Sequence, residues 1–448
     1  MGVIFSSPLR GRLNNSIFAI CSFMILAACS GPPEAALKVV NYQDPIAEEC
    51  VADPVNKYHI LVPGNPDQWH KIPLVIVLDA HGDGKLAVEK FQPAVQFFPC
   101  IVAGSDLIKN NFPGYETSII QMMSDIENKY PVDAQKIITA GFSGGARMAF
   151  YFSLNHKVKA VLMCGAGPGK EKPACPVYAI SGMGDFNFAE QYQHPDIQSI
   201  NDNKFTSDYF YGTHEWPQPQ QLSDGIVFLL RDDNDMENIR RKRSHDLMQL
   251  ADSLDKTGDN LMAWKALEKA AKFSVDKSKR DKAVERAESL IKKGDFQQSI
   301  NSLEADLKTE AGLNQEYAQR SLTENFNWWK KELTALNEDL ETYKTGLKAD
   351  HYLRIKGFIG ILLYTRINKM IYDDARNPQL PNLLETYAFA EPENSQAWYF
   401  KALHAYQSGD QHSCIENLEK SLKLGFTDLN KMRSDLPENI LIQAGAKY

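Results

Sequence analysis

Between about residues 55 and 232, short apolar runs alternate with segments of helical period. The runs are YHILV (58–62), LVIVLDA (74–80), PCIVAG (99–104), KIITAGF (136–142), VKAVLMCG (158–165), VYAISG (177–182) and YFYG (209–212). Most lack polar alternation, the mark of a strand covered on both faces, as in a parallel sheet. Candidate helices lie between them at 116–130, 144–156 and 218–231. Strand, helix and strand in succession predict an α/β sandwich with right-handed crossovers. In such sheets sites form at the carboxyl ends of the strands. The polar, glycine-rich pieces of this half fall there.

After about residue 233 the strand signals fade and the period becomes helical. The chain also repeats itself. GDNLMAWKALE (258–268), GDFQQSINSLE (294–304) and GDQHSCIENLE (409–419) share Gly-Asp, a small residue five positions on, then Leu-Glu. The glycine is read as ending one helix. The small residues, Ala263, Ser299 and Cys414, are read as letting the next helix approach its partner closely. The segment 391–425 resembles a tetratricopeptide repeat, with Trp398, Ala402, Gly409 and Cys414 at landmark positions. An all-α region of irregular, tetratricopeptide-like repeats is therefore expected over 233–448.

Composition changes the picture at the start of the chain. The 448 residues are 43% hydrophobic and 24% charged, as in an ordinary globular protein. A net charge of −8 argues against a nucleic-acid partner. The one basic cluster, RRKR (240–243), is read as a solvated linker face. Arg10 and Arg12 precede IFAICSFMILAA (17–28), which is too short to span a membrane comfortably. It ends in Leu26-Ala27-Ala28-Cys29, which looks like the lipobox of a bacterial lipoprotein. That resemblance implies a signal peptide over 1–28, a lipid on Cys29 and a tether over 29–54. Two or more acyl chains suffice for stable anchoring in the bacterial cell envelope, with outer membrane, periplasmic or surface face left open. Of the remaining cysteines, Cys50, Cys100, Cys164, Cys175 and Cys414, the pair Cys164–Cys175 flanks a loop and is the most plausible disulfide. Cys414 is expected free. No CxxC, HExxH or clustered His/Cys set supports a metal site, and no cofactor is expected.

The chemistry centres on KIITAGFSGGARMAF (136–150). Ser143 directly follows a strand pattern and precedes a helix pattern, so a tight turn there projects its Oγ above the sheet. Gly141 and Gly145 suit such a turn, and Ser143 meets the positive end of a helix. A hydroxyl needs a base, and the base needs a carboxylate to orient it. Asp185, in ISGMGDFN, lies just past one strand, and His214, in FYGTHEWP, just past the next. Pro217 is read as starting the helix that follows. All three side chains land on one rim of the sheet. His194 competes as base but has no strand before it. The backbone N–H of Gly144 is one candidate oxyanion donor; the second is Asp83 or Gly82, in HGDGK (81–85). His81 itself is read as packing or orienting.

Together, KIITAGFSGGARMAF, LDAHGDGK, GMGDFN and FYGTHEWP resemble the α/β-hydrolase superfamily. They look most like its lidless secreted esterases: polyhydroxybutyrate depolymerases, feruloyl and acetyl-xylan esterases, and dienelactone-hydrolase-like proteins. The resemblance covers about 180 residues (55–232). It implies Ser143 as nucleophile, Asp185 as acid and His214 as base. Little sequence is available between the sheet elements for a lid, and the usual substrate-binding insertions are missing.

The resulting expectation is a lipid-anchored serine hydrolase cleaving a carboxylic ester through an acyl-enzyme. An ester is preferred to an amide because no peptide-selecting cap is evident. The C-terminal repeats are expected to hold a protein or peptide partner. The alternatives are a lipid-anchored interaction protein with an inactive hydrolase half, and a serine peptidase. Phe186, Phe188, Tyr192 and Trp216 are read equally as pocket or core.

Overall fold

The seven apolar runs fall in or at the ends of strands β2 to β8 of one eight-stranded sheet, the last run overlapping only the end of β8: β1 (Ile46–Cys50), β2 (Asp53–Leu61), β3 (Ile72–Leu78), β4 (Ile101–Ser105), β5 (Val132–Phe142), β6 (Ala160–Cys164), β7 (Val177–Gly182) and β8 (Phe205–Phe210). The computed structural model describes residues 37–65, 69–193 and 205–446. The signal-peptide and Cys29 expectations, and the competing base His194, lie outside the described residues. The spatial order is β1-β2-β4-β3-β5-β6-β7-β8. β1, β2 and β4 pair antiparallel, and β4, β3, β5, β6, β7 and β8 pair parallel. This is an α/β-hydrolase sandwich.

Why the runs lack polar alternation is visible in β3, every residue of which is buried. Val75 and Val77 join the core on one face, while Leu74, Ile76 and Leu78 join the core on the other. Each fully buried aliphatic side chain contributes roughly 1.5–3 kcal/mol. Helices α1 (Gly84–Phe91), α2 (Tyr115–Lys129), α3 (Gly144–Asn155), α4 (Phe188–Tyr192) and α5 (Pro219–Leu229) belong to this half. Pro219, not Pro217, occupies the first turn of α5.

Three expectations change here. Part of the segment read as tether is the edge strand β1, which pairs with β2. All five described cysteines are free. Cys164 lies in the core on one face of the sheet, and Cys175 packs against the core on the other, so proximity in sequence does not bring their sulfurs together. The RRKR cluster is not a solvated linker. It sits in α6 (Glu237–Lys256), where Arg243 forms a two-pronged pair with buried Asp224 at 2.6 and 2.9 Å and Arg240 caps the Arg231 carbonyl.

The C-terminal half continues with α7 (Asn260–Phe273), α8 (Lys277–Ile291), α9 (Gly294–Arg320), α10 (Phe326–Thr342), α11 (Leu347–Asp373), α12 (Leu380–Ala390), α13 (Ser395–Gln407), α14 (Gln411–Lys423), α15 (Leu429–Asp435) and α16 (Glu438–Gln443). Two Gly-Asp copies share one local structure. Gly258 and Gly409 adopt φ of +83°, and Asp259 and Asp410 then cap α7 and α14 by accepting from Met262 N and Ser413 N. Such a cap contributes about 1 kcal/mol. The middle copy differs: Gly294 already lies inside α9, and the Ser299 hydroxyl turns back to the Asp295 carbonyl rather than meeting a partner helix.

The helical half is fastened to the sheet edge. Lys265, Lys269 and Lys272 share one face of α7 by their spacing. They reach Ser207 (3.4 Å), Asp208 (2.5 Å) and Thr206 (3.3 Å) on β8. Glu268 lies between Lys265 and Lys272 at 2.7 and 2.8 Å. An edge strand covered in this way is closed to pairing with another chain. Among the described residues no helix is long and apolar enough to cross a membrane.

Candidate active site

Ser143 sits between the end of β5 and the start of α3 with φ 54° and ψ −118°. A non-glycine residue in this region carries strain on the order of 1–3 kcal/mol, which the surroundings must hold. Two contacts hold it. The Ser143 N–H donates to the Cys164 carbonyl oxygen at 2.8 Å. Gly145 lies so close to β3 that a Cβ there would fall 2.0 Å from the Leu78 carbonyl oxygen. The turn thus closes only around a glycine, and the Ser143 side chain is lifted off the sheet beside the N-terminus of α3.

The next two side chains come from neighbouring strand ends. His214 Nε2 lies 3.0 Å from Ser143 Oγ, and its Nδ1 lies 3.0 and 2.9 Å from the two carboxylate oxygens of Asp185. Asp185 is fully buried. Its Oδ1 also accepts from the Asn187 N–H at 2.8 Å, which fixes the carboxylate's rotation. Burial pushes the Asp185 carboxyl above the usual aspartate range, against the lowering influence of His214. The imidazole is clamped between two rings, Phe142 at 4.7 Å and Phe186 at 4.4 Å between centroids. Trp216 stacks on Phe142 from behind at 5.1 Å. Phe188 is buried core rather than pocket.

The Gly144 N–H is the first of α3, so it has no acceptor within the helix. In the loop after β3, buried Asp79 organises the turn. The His81 N–H donates to its carboxylate at 2.7 Å, and the Asp83 N–H donates to the same oxygen over a longer 3.5 Å. The Gly82 N–H is directed to the Asp79 carbonyl at 3.3 Å, and Asp83 caps α1. His81 is not a packing residue: its side chain is 84% exposed. The Asn110 amide, which nothing in the sequence singled out, stands over Gly144, where a Cβ would meet Asn110 Oδ1 at 1.8 Å.

The C-terminal half reaches the site as well. Arg354 on α11 is 2% exposed and pairs with Glu310 at 2.9 and 2.7 Å. Its remaining nitrogen donates to the carbonyl of Met183, in the loop that carries Asp185. A Cβ on Gly184 would meet Leu353 at 3.1 Å, and one on Gly357 would meet Phe186 at 3.1 Å. Beside His214 lies a cavity of about 530 Å³ walled by Phe186, Thr213 and helices α11 to α13. The cap expected to be missing is therefore supplied from the other end of the chain. No sequence signal announced this, because Arg354 and Met183 are 171 residues apart. Among the described residues, no group of three or more His, Cys, Asp or Glu is arranged to hold a metal ion.

No family model matches the sequence, and no curated protein does. Solved structures match at low similarity. S-formylglutathione hydrolase from Staphylococcus aureus is 12% identical at a TM-score of 0.36, over 43% of this chain and 98% of that one. An esterase from the archaeon Pyrobaculum calidifontis is 12% identical at 0.34, over 44% and 87%. A ferulic acid esterase is 16% identical at 0.34, over 43% and 99%. At such identities and scores the likeness carries no chemistry across, and the case for a reaction rests on this chain's own residues.

Proposed function

We propose that the protein is a serine hydrolase that cleaves a carboxylic ester through an acyl-enzyme. The observation that carries this reading is the continuous chain of contacts from Ser143 Oγ through the His214 ring to buried Asp185. Ser143 Oγ attacks the carbonyl carbon while His214 Nε2 takes its proton. The carbonyl π electrons move onto oxygen, where the Gly144 and Asp83 N–H groups meet the negative charge. Each such donor contributes roughly 3–4 kcal/mol to the transition state. Collapse breaks the ester C–O bond, and His214 returns the proton to the leaving oxygen. Water then repeats the sequence, releasing the acid and restoring Ser143. Asp185 holds the Nδ1 tautomer and steadies the imidazolium.

The same reading has the chain tethered to a bacterial envelope membrane by lipid on Cys29, with the helical half also holding a protein or peptide partner. A serine peptidase is the second reading. It is favoured by the helices standing over His214, since the preference for esters had rested on the want of a cap. Measuring kcat/KM on short aryl esters and on aminoacyl amides, with Ser143→Ala as control, separates the readings. Ester turnover lost in Ser143→Ala supports the first, a preference for amides the second. A folded protein inert to both leaves only a binding role. Loss of fatty-acid incorporation in Cys29→Ser tests the anchor.

A further inference from the structure

The cavity beside His214 has a direction. His214 hands its proton to the departing group, so that group leaves toward the imidazole. His214, Thr213 and Phe186 line the cavity and Ser143 does not. On the hydrolase reading, from which this inference starts, the space between the triad and α11–α13 receives the leaving-group side of the substrate.

Besides the imidazoles of His214 and of His81, which stands 3.6 Å from Asp79, two charged residues with different partners line the cavity. Lys356 lines the cavity, and its ammonium donates to Asn337 Oδ1 on α10 at 2.9 Å. Glu391 is oriented instead by neutral groups: Asn394 donates to its Oε2 at 2.5 Å and to the Tyr387 hydroxyl at 3.0 Å. No basic side chain among the described residues pairs with the Glu391 carboxylate. Helix α11 makes room for it. A Cβ on Gly360 would lie 1.9 Å from Glu391 Oε1, so a glycine in mid-helix, which costs about 1 kcal/mol relative to alanine, leaves space for a carboxylate. Tyr364 and Tyr387 also line these walls, and aromatic rings attract cations.

We infer that Glu391, framed by Tyr364 and Tyr387, is a subsite for a cationic leaving group, and that the enzyme prefers esters whose alcohol carries an ammonium or guanidinium. The helical half then selects substrates as well as covering the site.

The test compares butyrylcholine with its uncharged isostere 3,3-dimethylbutyl butyrate, using the full-length protein. The expected result is a kcat/KM at least tenfold higher for the choline ester. Glu391→Gln removes that preference and leaves the neutral ester within about twofold. Gly360→Ala, which keeps the carboxylate but displaces it and suits a helix better, lowers choline-ester turnover alone. Equal turnover of both esters by the unaltered protein overturns the inference, as does a Glu391→Gln loss that falls on both alike. Neutral-ester turnover that stops once a fluorophosphonate has labelled Ser143 shows in those cases that the hydrolase reading survives. If Ser143 takes no label and neither ester is cleaved, both readings fall together.

Discussion

The guanidinium of Arg354, 171 residues away in sequence, donates to the main-chain oxygen of Met183, two residues before Asp185. Its other nitrogens are fixed by Glu310, whose second partner is His351 at 2.7 Å. Arg354 is thus a positioning residue for the loop that presents Asp185. Substituting Arg354 by methionine leaves Glu310 buried with its main partner gone, a change that costs roughly 3–5 kcal/mol of stability. Displacing the carboxylate loop is expected to lower kcat by about 10- to 100-fold with KM nearly unchanged. Arg354→Lys is expected to restore part of kcat. Equal loss in KM, or full kcat in the folded methionine variant, removes the positioning role.

Asp350 provides a pH test of the helical half. It is 5% exposed, and its Oδ2 has no hydrogen-bond partner among the described residues. Burial pushes its carboxyl up to about 6, against the lowering influence of Arg354. The folded value exceeds the unfolded one, so folding favours the protonated form. Its contribution is fully present below about pH 4 and is lost as pH rises through about 6. At about 1.4 kcal/mol per pH unit, the loss approaches roughly 3 kcal/mol. Asp350→Asn is expected to raise the unfolding free energy at pH 8 by up to that amount and to change it little at pH 4. Denaturant unfolding at the two pH values measures the difference.

The turn under Ser143 admits no side chain at Gly145, where a Cβ would meet the Leu78 backbone. Backbone cannot swing aside as a side chain does. Gly145→Ala is expected to cost about 1–3 kcal/mol and to slow the reaction of Ser143 by displacing the turn. Unfolding curves and labelling rates, taken on the same preparation, read both effects.

The sheet was legible because β3, β4, β6, β7 and the second half of β5 are buried on both faces, which leaves largely apolar runs. β1 was not: IAEEC is an edge strand with exposed polar positions, and it read as tether. Ser143, Asp185 and His214 were legible because Ser143 directly follows β5 and the other two lie in the short loops just past β7 and β8. Phe142 and Phe186, which clamp His214, sit beside those residues, yet an aromatic neighbour reads equally as core. Cys164 and Cys175 misled because loop spacing does not tell which face of a sheet a side chain takes. Arg354, Gly360 and Glu391 carry no local motif. Their meaning comes from packing between the two halves of the chain, which a one-dimensional pattern does not contain.

The central claim is that Ser143 is made nucleophilic by His214 and Asp185, and active-site labelling tests it most directly. Full-length protein treated with a fluorophosphonate is predicted to take up one label, located by mass on the peptide containing Ser143. The label is predicted to be absent in Ser143→Ala and to form far more slowly in His214→Ala. A folded protein that stays unlabelled, or one labelled equally fast without His214, contradicts the account.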